Sequence, residues 1–174
     1  MTLTAKIFAG ALGAGLLFST AARAEDPVSL GVFDDWEAFN YHDNGALVCY
    51  VFSAPKKSDS NKKNAKRDAV YFMISHFMGR KVKGQISTII GYPFKESSTV
   101  NLKIDAASFD LYTNGDAAWA ADADTEAKIV KAMKASKSKM FTVAGTSFRD
   151  TQTTDTYSLN GIDKALDKID ATCK

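Results

Sequence analysis

The sequence has few of the residues from which catalytic and metal sites are usually built. Its 174 residues include two histidines and two cysteines, and these form no HxH, HExxH or CxxC pattern. A metal site of ordinary spacing and a dithiol redox centre therefore have no support. The serine-hydrolase frame GxSxG, the dinucleotide fingerprint GxGxxG and the phosphate-binding P-loop are missing as well.

Carboxylates are plentiful, but no pair is distinguished by its surroundings. We therefore expect no catalytic residue, no cofactor and no metal ion, and a protein that is not an enzyme. An unrecognised hydrolase is the alternative with the least support.

The first 24 residues have the pattern of a secretory signal peptide. Lys6 precedes the apolar run IFAGALGAGLLFSTAA, and Ala22, Arg23 and Ala24 form a cleavage triplet with small outer residues. The run is shorter than the roughly 20 residues that span a bilayer. This argues against the alternatives, a membrane anchor or an N-terminal core helix. We predict cleavage after Ala24, a single domain over 25–174, and no lipid anchor or transmembrane segment in the exported chain.

Loss of this leader would change the charge balance. The leader contains two of the 22 basic residues and none of the 20 acidic residues, so 20 of each sign would remain. A general binder of nucleic acid or of membrane surfaces should have a larger basic excess. We therefore expect no nucleic-acid partner.

Short apolar and alternating runs predict a mainly β protein. TVNLKID alternates, with Val100, Leu102 and Ile104 on one face, and Asn44-Gly45 and Asn114-Gly115 favour tight hairpin turns. Further strands are predicted at 33–42, 46–52, 69–77, 85–91, 108–112, 117–120 and 139–148. A polar edge strand, or an extended approach to the last helix, is predicted at 152–159. The expected architecture is an antiparallel β-sandwich of about seven to nine strands with two short helices.

The two helices are predicted where the period of apolar residues changes. In 122–136 the acids come first and the lysines later, which complements the helix dipole. In 160–173, Asn160 is placed to cap the first turn. The apolar stripes are Ile129, Val130 and Met133 in the first helix and Ile162, Leu166, Ile169 and Cys173 in the second.

The two cysteines are predicted to pair. Cys49 lies in ALVCYVFS, a run typical of a buried strand, and Cys173 lies on the apolar stripe of the last helix. Export leads to a compartment where disulfides persist. A Cys49–Cys173 bond would hold a chain end that otherwise frays. Two separately buried thiols are the alternative.

One long loop, SAPKKSDSNKKNAKRDA, is strongly basic. It is either a solvated connection between two apolar strands or an interaction surface for an anionic partner such as lipopolysaccharide, host glycan or acidic protein. The candidate interaction residues are Lys56, Lys57, Lys62, Lys63, Lys66 and Arg67.

Other polar residues favour structural roles. Asp155 is predicted to accept backbone amides in a turn, and Tyr157 to bury its ring while its hydroxyl finds a hydrogen-bond partner, rather than to form a ligand site. His76 is expected to be a partly buried strand residue and His42 a turn residue, not metal ligands.

Seven segments follow one another along nearly all of the predicted exported chain. They are FDDWEAF, CYVFSAPKK, YFMIS, IIGYPFKESSTV, FDLYTNGDAAWA, IVKAMKASKSKMFTVAGTS and TDTYSLNGIDKALDKIDATC. Their order resembles that of the invasion-associated locus B family of exported bacterial proteins. The resemblance implies residence in the periplasm, at the outer envelope or outside the cell, and a link to host-cell invasion in some pathogens. It transfers no catalytic residue and no cofactor, and position 150 holds Asp where the resemblance leads us to expect Gly.

Two functions follow as hypotheses. The first is an exported, non-enzymatic binding protein of the envelope or of host-cell invasion, which acts through the basic loop and strand edges. The second is a periplasmic small-molecule-binding or inhibitor-like module, in which IIGYPF and Trp119 line an apolar pocket.

Overall fold

The structure, a computed structural model, describes residues 26–63 and 65–174. The predicted signal peptide lies outside these residues. The strands are β1 (Val28–Phe33), β2 (Trp36–Asp43), β3 (Ala46–Ser53), β4 (Lys57–Ser60), β5 (Tyr71–Phe77), β6 (Val82–Ile89), β7 (Thr99–Ile104), β8 (Ala107–Asn114), β9 (Ala117–Trp119), β10 (Met140–Thr146) and β11 (Gln152–Ser158). The α-helices are α1 (Ala123–Ala135) and α2 (Ile162–Thr172), and a 3₁₀ turn covers Met78–Arg80.

The predicted fold class, mainly β and antiparallel with two helices, is confirmed. The predicted number of strands, seven to nine, was too low, because the described residues form eleven. Eleven strands form one hydrogen-bonded sheet in the order β1-β2-β3-β5-β6-β9-β8-β7-β10-β11-β4. Both predicted hairpin turns are present, between β2 and β3 and between β8 and β9. At the first of them Asn44 and Gly45 have positive φ angles of 50° and 79°, the conformation that Asn-Gly favours.

The sheet folds over so that its two halves face each other across one core. The ring centroids of Phe72 on β5 and Phe141 on β10 are 4.8 Å apart, although four strands separate β5 from β10 in the sheet. The Trp36 indole on β2 donates a hydrogen bond to the Ser158 carbonyl at the end of β11, at 3.0 Å. The two layers of the predicted sandwich are therefore halves of one continuous sheet.

Helix α1 begins as its sequence predicts. The Asp122 side chain accepts a hydrogen bond from the Thr125 amide at 2.7 Å, and this cap lowers the pKa of Asp122. The buried residues of α1 are Glu126, Ile129 and Met133, whereas Val130 is only partly buried. A carboxyl group thus occupies a position on the buried side of the helix.

Helix α2 is confirmed, but its predicted cap is wrong. The N-cap is Gly161 at φ 88°, not Asn160, and no side chain caps the helix. A Cβ atom on Gly161 would overlap the Phe33 carbonyl, so the close approach of backbone to backbone requires glycine. Asn160 contributes its carbonyl, which accepts from the Asp35 amide.

The structure contains the predicted disulfide between Cys49 on β3 and Cys173, the C-cap of α2, with a Cα–Cα distance of 6.1 Å. Both residues are fully buried. The bond fixes the end of α2 over β3, beside the contacts that α2 makes with β1 and β2. Among the described residues, no helix is both long enough and apolar enough to cross a membrane.

The sequence predicted a polar edge strand, or an extended approach to the last helix, at 152–159, but residues 152–158 form the internal strand β11. It pairs with β10 on one side and with β4 on the other. Strand β4 lies within the predicted basic loop and forms the true edge of the sheet. The backbone of β11 therefore has a hydrogen-bonding partner on each side, and its alternate residues Thr153, Asp155 and Tyr157 are buried.

Candidate functional site

The six cations of the basic loop divide into three groups. Lys56 forms an ion pair with Asp35, and Lys57 on β4 pairs with Asp59 at 2.6 Å. Arg67 points into the protein. The side chains of Lys62, Lys63 and Lys66 are exposed and line a cleft. The predicted interaction loop therefore contributes three of its six cations to one exposed surface.

Arg67 anchors the loop. Its guanidinium forms a two-pronged salt bridge with Asp155 on β11, at 2.7 and 2.6 Å, and its Nε donates to the Ile90 carbonyl at 2.9 Å. The side chains of Arg67 and Asp155 are 11% and 0% exposed. Burial alone would lower the pKa of Arg67, but the hydrogen bonds and charge of Asp155 hold it above its ordinary value. Arg67 is therefore not an exposed contact for a partner.

The same contacts correct the prediction for Asp155. Its partners are the Arg67 guanidinium and the Ser58 hydroxyl, which donates at 2.6 Å, rather than backbone amides. Tyr157 is fully buried against Phe141, with ring centroids 4.9 Å apart, and burial raises the pKa of its phenol. Both residues support the core, as the structural interpretation of this stretch expected.

Three segments that are distant in the sequence meet at the cleft, which has a volume of about 430 Å³. They are residues 62–63 and 65–68 of the basic loop, the turn after β6, and the turn between β10 and β11. The exposed cations are Lys62, Lys63, Lys66 and Arg149, and Asp68 is the exposed carboxylate among the lining residues. We call this site, with Gly91, Tyr92 and Pro93 in its wall, the basic cleft.

Gly91 brings the first two segments together. Its carbonyl accepts a hydrogen bond from the Asp68 amide at 2.9 Å. Its φ angle is 74°, and a Cβ atom there would overlap the Asp68 carbonyl. No other residue type allows the backbone to pass this closely in this conformation.

Tyr92 fixes the wall of the cleft. Its hydroxyl forms a hydrogen bond of 2.6 Å with the Thr153 hydroxyl on β11. The Arg67 guanidinium lies over its ring, 5.4 Å from the centroid. Burial raises the pKa of the Tyr92 phenol, so it remains a neutral hydrogen-bonding group at neutral pH.

The turn between β10 and β11 supplies the fourth cation. The Ser147 hydroxyl accepts from the amides of Arg149 and Thr151, and the Lys62 ammonium donates to the Arg149 carbonyl at 2.8 Å. Asp150 has a φ angle of 57°, a left-handed conformation that glycine adopts more readily than most other residues, which is consistent with the glycine expected at this position from the sequence. The Lys95 ammonium pairs with Asp150 at 2.7 Å and lowers the pKa of that carboxyl.

An exposed aromatic ring lies beside these cations. Phe148 is 54% exposed, and the Arg149 guanidinium lies 4.9 Å from its ring centroid. The cleft thus combines an excess of positive charge with one apolar surface. Such a site favours anionic ligands that also present an apolar part.

A family comparison accounts for most of the chain. The family model described as invasion associated locus B (IalB) protein matches residues 36–170. The chain belongs to the IalB family. Comparisons with curated proteins and with solved structures give no match. The resemblance found in the sequence is confirmed, and the basic cleft lies entirely within the part of this IalB protein that the family model covers.

Sequence reasoning missed part of the IalB protein's cleft. Phe148 was placed at the end of the predicted strand 139–148, and Arg149 was not among the candidate interaction residues, although Asp150 is a residue type that favours turns. The predicted pocket of IIGYPF with Trp119 is wrong in composition. Gly91, Tyr92 and Pro93 line the basic cleft, whereas Trp119 stacks on Tyr112 with ring centroids 5.6 Å apart.

His76 is a buried strand residue whose two ring nitrogens both have hydrogen-bonding partners within the protein. Its Nδ1 accepts from the Gly84 amide at 3.0 Å, which places the ring proton on Nε2, and Nε2 lies 2.8 Å from the Asp170 carboxylate. Residues 26–63 and 65–174 contain no group of three or more His, Cys, Asp or Glu side chains that could hold a metal ion.

Proposed function

We propose that this IalB protein is an exported, non-enzymatic binding protein that engages an anionic component of a cell surface through the basic cleft. One observation carries this proposal. Four exposed cations, three from the basic loop and Arg149 from the turn between β10 and β11, surround one concavity whose lining has a single exposed carboxylate, Asp68. Two neighbouring carboxylates, Asp155 and Asp150, are paired with Arg67 and Lys95. The excess of positive charge is therefore available to a partner.

Export is the part of the proposal that the disulfide supports. Cys49 and Cys173 are bonded in the structure, and such bonds persist outside the reducing cytosol. Family membership supports the same location, in the periplasm, at the outer envelope or outside the cell. The proposed role in host-cell invasion or in the envelope is based on family membership and not on the cleft itself.

The test uses vesicles of neutral phospholipid with and without lipopolysaccharide, which serves as the polyanionic probe, and measures co-sedimentation of the purified protein. A cleft variant carries Lys62→Gln, Lys63→Gln, Lys66→Gln and Arg149→Gln. A control variant loses the same number of exposed charges elsewhere, through Lys103→Gln, Lys128→Gln, Lys168→Gln and Lys174→Gln.

The wild-type protein should bind the lipopolysaccharide vesicles, and the cleft variant should bind at least about tenfold more weakly, because cations near an anionic surface contribute strongly to affinity. The control variant should bind within about twofold of wild type, and salt should weaken binding through screening. Equal loss in the two variants would mean that total charge, and not the basic cleft, determines binding.

A further inference from the structure

A second concavity lies between the two helices and shares no lining residue with the basic cleft. Helix α2 packs on β1, β2 and β3, and α1 packs on β6 and β8. Strand β5 lies between β3 and β6 in the sheet, so the region above it is left between the helices. The resulting groove has a volume of about 680 Å³, within the range of small-molecule sites.

The groove exists because small residues face it. Helix α1 presents Ala123, Ala127 and Ala135 to the groove, and Gly84 on β6 adds no side chain. Below them, Ile74 and Leu166 are buried and form an apolar floor. Protein interiors are normally close-packed, and larger residues at the alanine positions would close this space.

The rim of the groove is cationic. Lys83 on β6 and Lys131 and Lys134 on α1 line the groove, and all three are exposed. In the described part of the chain none of the three takes part in a salt bridge. The one exposed carboxylate in the lining, Asp170, is held by His76. The rim therefore favours an anionic group.

A second carboxyl group, Glu126, lies deeper in the lining of the groove. It is buried, its Oε1 accepts from the Ile86 amide at 3.3 Å, and burial raises its pKa. The three lysines therefore outnumber the two carboxyl groups of the lining.

We propose that this groove binds a single-chain amphipathic carboxylate of the fatty-acid type. The alkyl chain lies along Ala127 and Val130, above the buried Ile74 and Leu166, and the carboxylate is held by the lysines of the rim. Lysine ammonium groups supply charge at the end of flexible apolar stems, which suits a head group at the mouth of an apolar groove. This inference goes beyond the proposed function and rests on residues that the basic cleft does not use.

The test measures binding of dodecanoate to the purified full chain by titration calorimetry, below the concentration at which the ligand forms micelles. Decanoate should bind more weakly, by up to about fourfold for each methylene removed from water contact. Dodecanol has the same chain without the charge and should bind at least about tenfold more weakly than dodecanoate.

Three variants assign the site. The double substitution Lys131→Gln and Lys134→Gln should weaken the binding of dodecanoate about tenfold and leave the binding of dodecanol unchanged. Lys128→Gln with Lys137→Gln, two exposed lysines outside the groove, is the charge-matched control and should bind as wild type does. Ala127→Phe should weaken both ligands, because its ring occupies the space above the floor.

Circular dichroism verifies that each variant is folded. The proposal is overturned if dodecanoate shows no saturable binding, if dodecanol binds as tightly, or if the Lys131/Lys134 variant binds as the control does. The four-residue cleft variant should bind dodecanoate normally, so failure of this site and failure of the basic cleft are distinguishable.

Discussion

At the scale of single residues, Arg67 shows that the neighbouring sequence does not reveal whether a side chain is buried or which partner it binds. In the sequence it is the last of six cations in a polar loop, and nothing near it distinguishes it from the lysines. Its partner Asp155 lies 88 residues away in the sequence, on β11, the strand with which β4 of the same loop pairs. A guanidinium matches a carboxylate with two parallel hydrogen bonds, which a lysine does not. That Arg67 is an arginine, among five lysines, was therefore the one feature of the sequence that could have indicated a buried salt bridge.

Replacement of Arg67 by Ala should destabilise the protein by about 3–5 kcal/mol, because it leaves the fully buried Asp155 carboxylate without its charged partner. Arg149→Ala is the matched control. It removes the same side chain from an exposed position in the same cleft and should change stability by less than about 0.5 kcal/mol. Urea denaturation followed by circular dichroism measures both. Similar values for the two variants would show that the Arg67–Asp155 pair does not anchor the loop.

At the scale of secondary structure, elements with a clear apolar period were predictable and those defined by a neighbour were not. The alternation in 99–104 placed Val100, Leu102 and Ile104 in the core, as observed. Strand β4, of sequence KSDS, has four exposed residues and no apolar period. It is a strand because β11 offers it a free edge. The same pairing explains why the polar segment 152–158 is internal.

The disulfide gives the clearest prediction for an element. Replacement of both Cys49 and Cys173 by Ala should lower the free energy of unfolding by about 4–5 kcal/mol, because the bond closes a loop between residues separated by 124 positions. The local stability of helix α2 should fall most, because no side chain caps its N-terminus and the disulfide fixes its C-terminus. Hydrogen exchange of its amides should accelerate more than exchange in β10.

Reducing agent serves as the control for that experiment. It should destabilise the wild-type protein by a similar amount and leave the double variant unchanged, since the described residues contain no other cysteine. If reduction leaves α2 as well protected as before, the apolar contacts of Ile162, Leu166 and Ile169 are sufficient to hold the helix, and the covalent bond is not its main constraint.

At the scale of the whole molecule, the closure of the sheet and the assembly of the basic cleft have the same origin. Hairpins join strands that are adjacent in sequence, and turn residues reveal them. The pairings β6–β9, β7–β10 and β4–β11 join distant segments, and no local pattern marks them. The cleft depends on these pairings, because they bring its three segments to one place. The sequence therefore identified much of its charge but not its shape.

A single core shared by both halves of one sheet predicts that the molecule unfolds as one unit. Trp36 reports on this core, because its ring contacts Phe72 on one half and Phe141 on the other, with centroids 6.4 and 6.5 Å away. Under urea, tryptophan fluorescence and far-ultraviolet circular dichroism should give coincident transitions with the same midpoint. The variant Trp119→Phe removes the second, half-buried indole, so that the fluorescence comes from Trp36 alone. If Trp36 fluorescence changed well before the dichroism signal, the two halves would separate while each kept its strands, and the shared core would not be the main source of cooperativity.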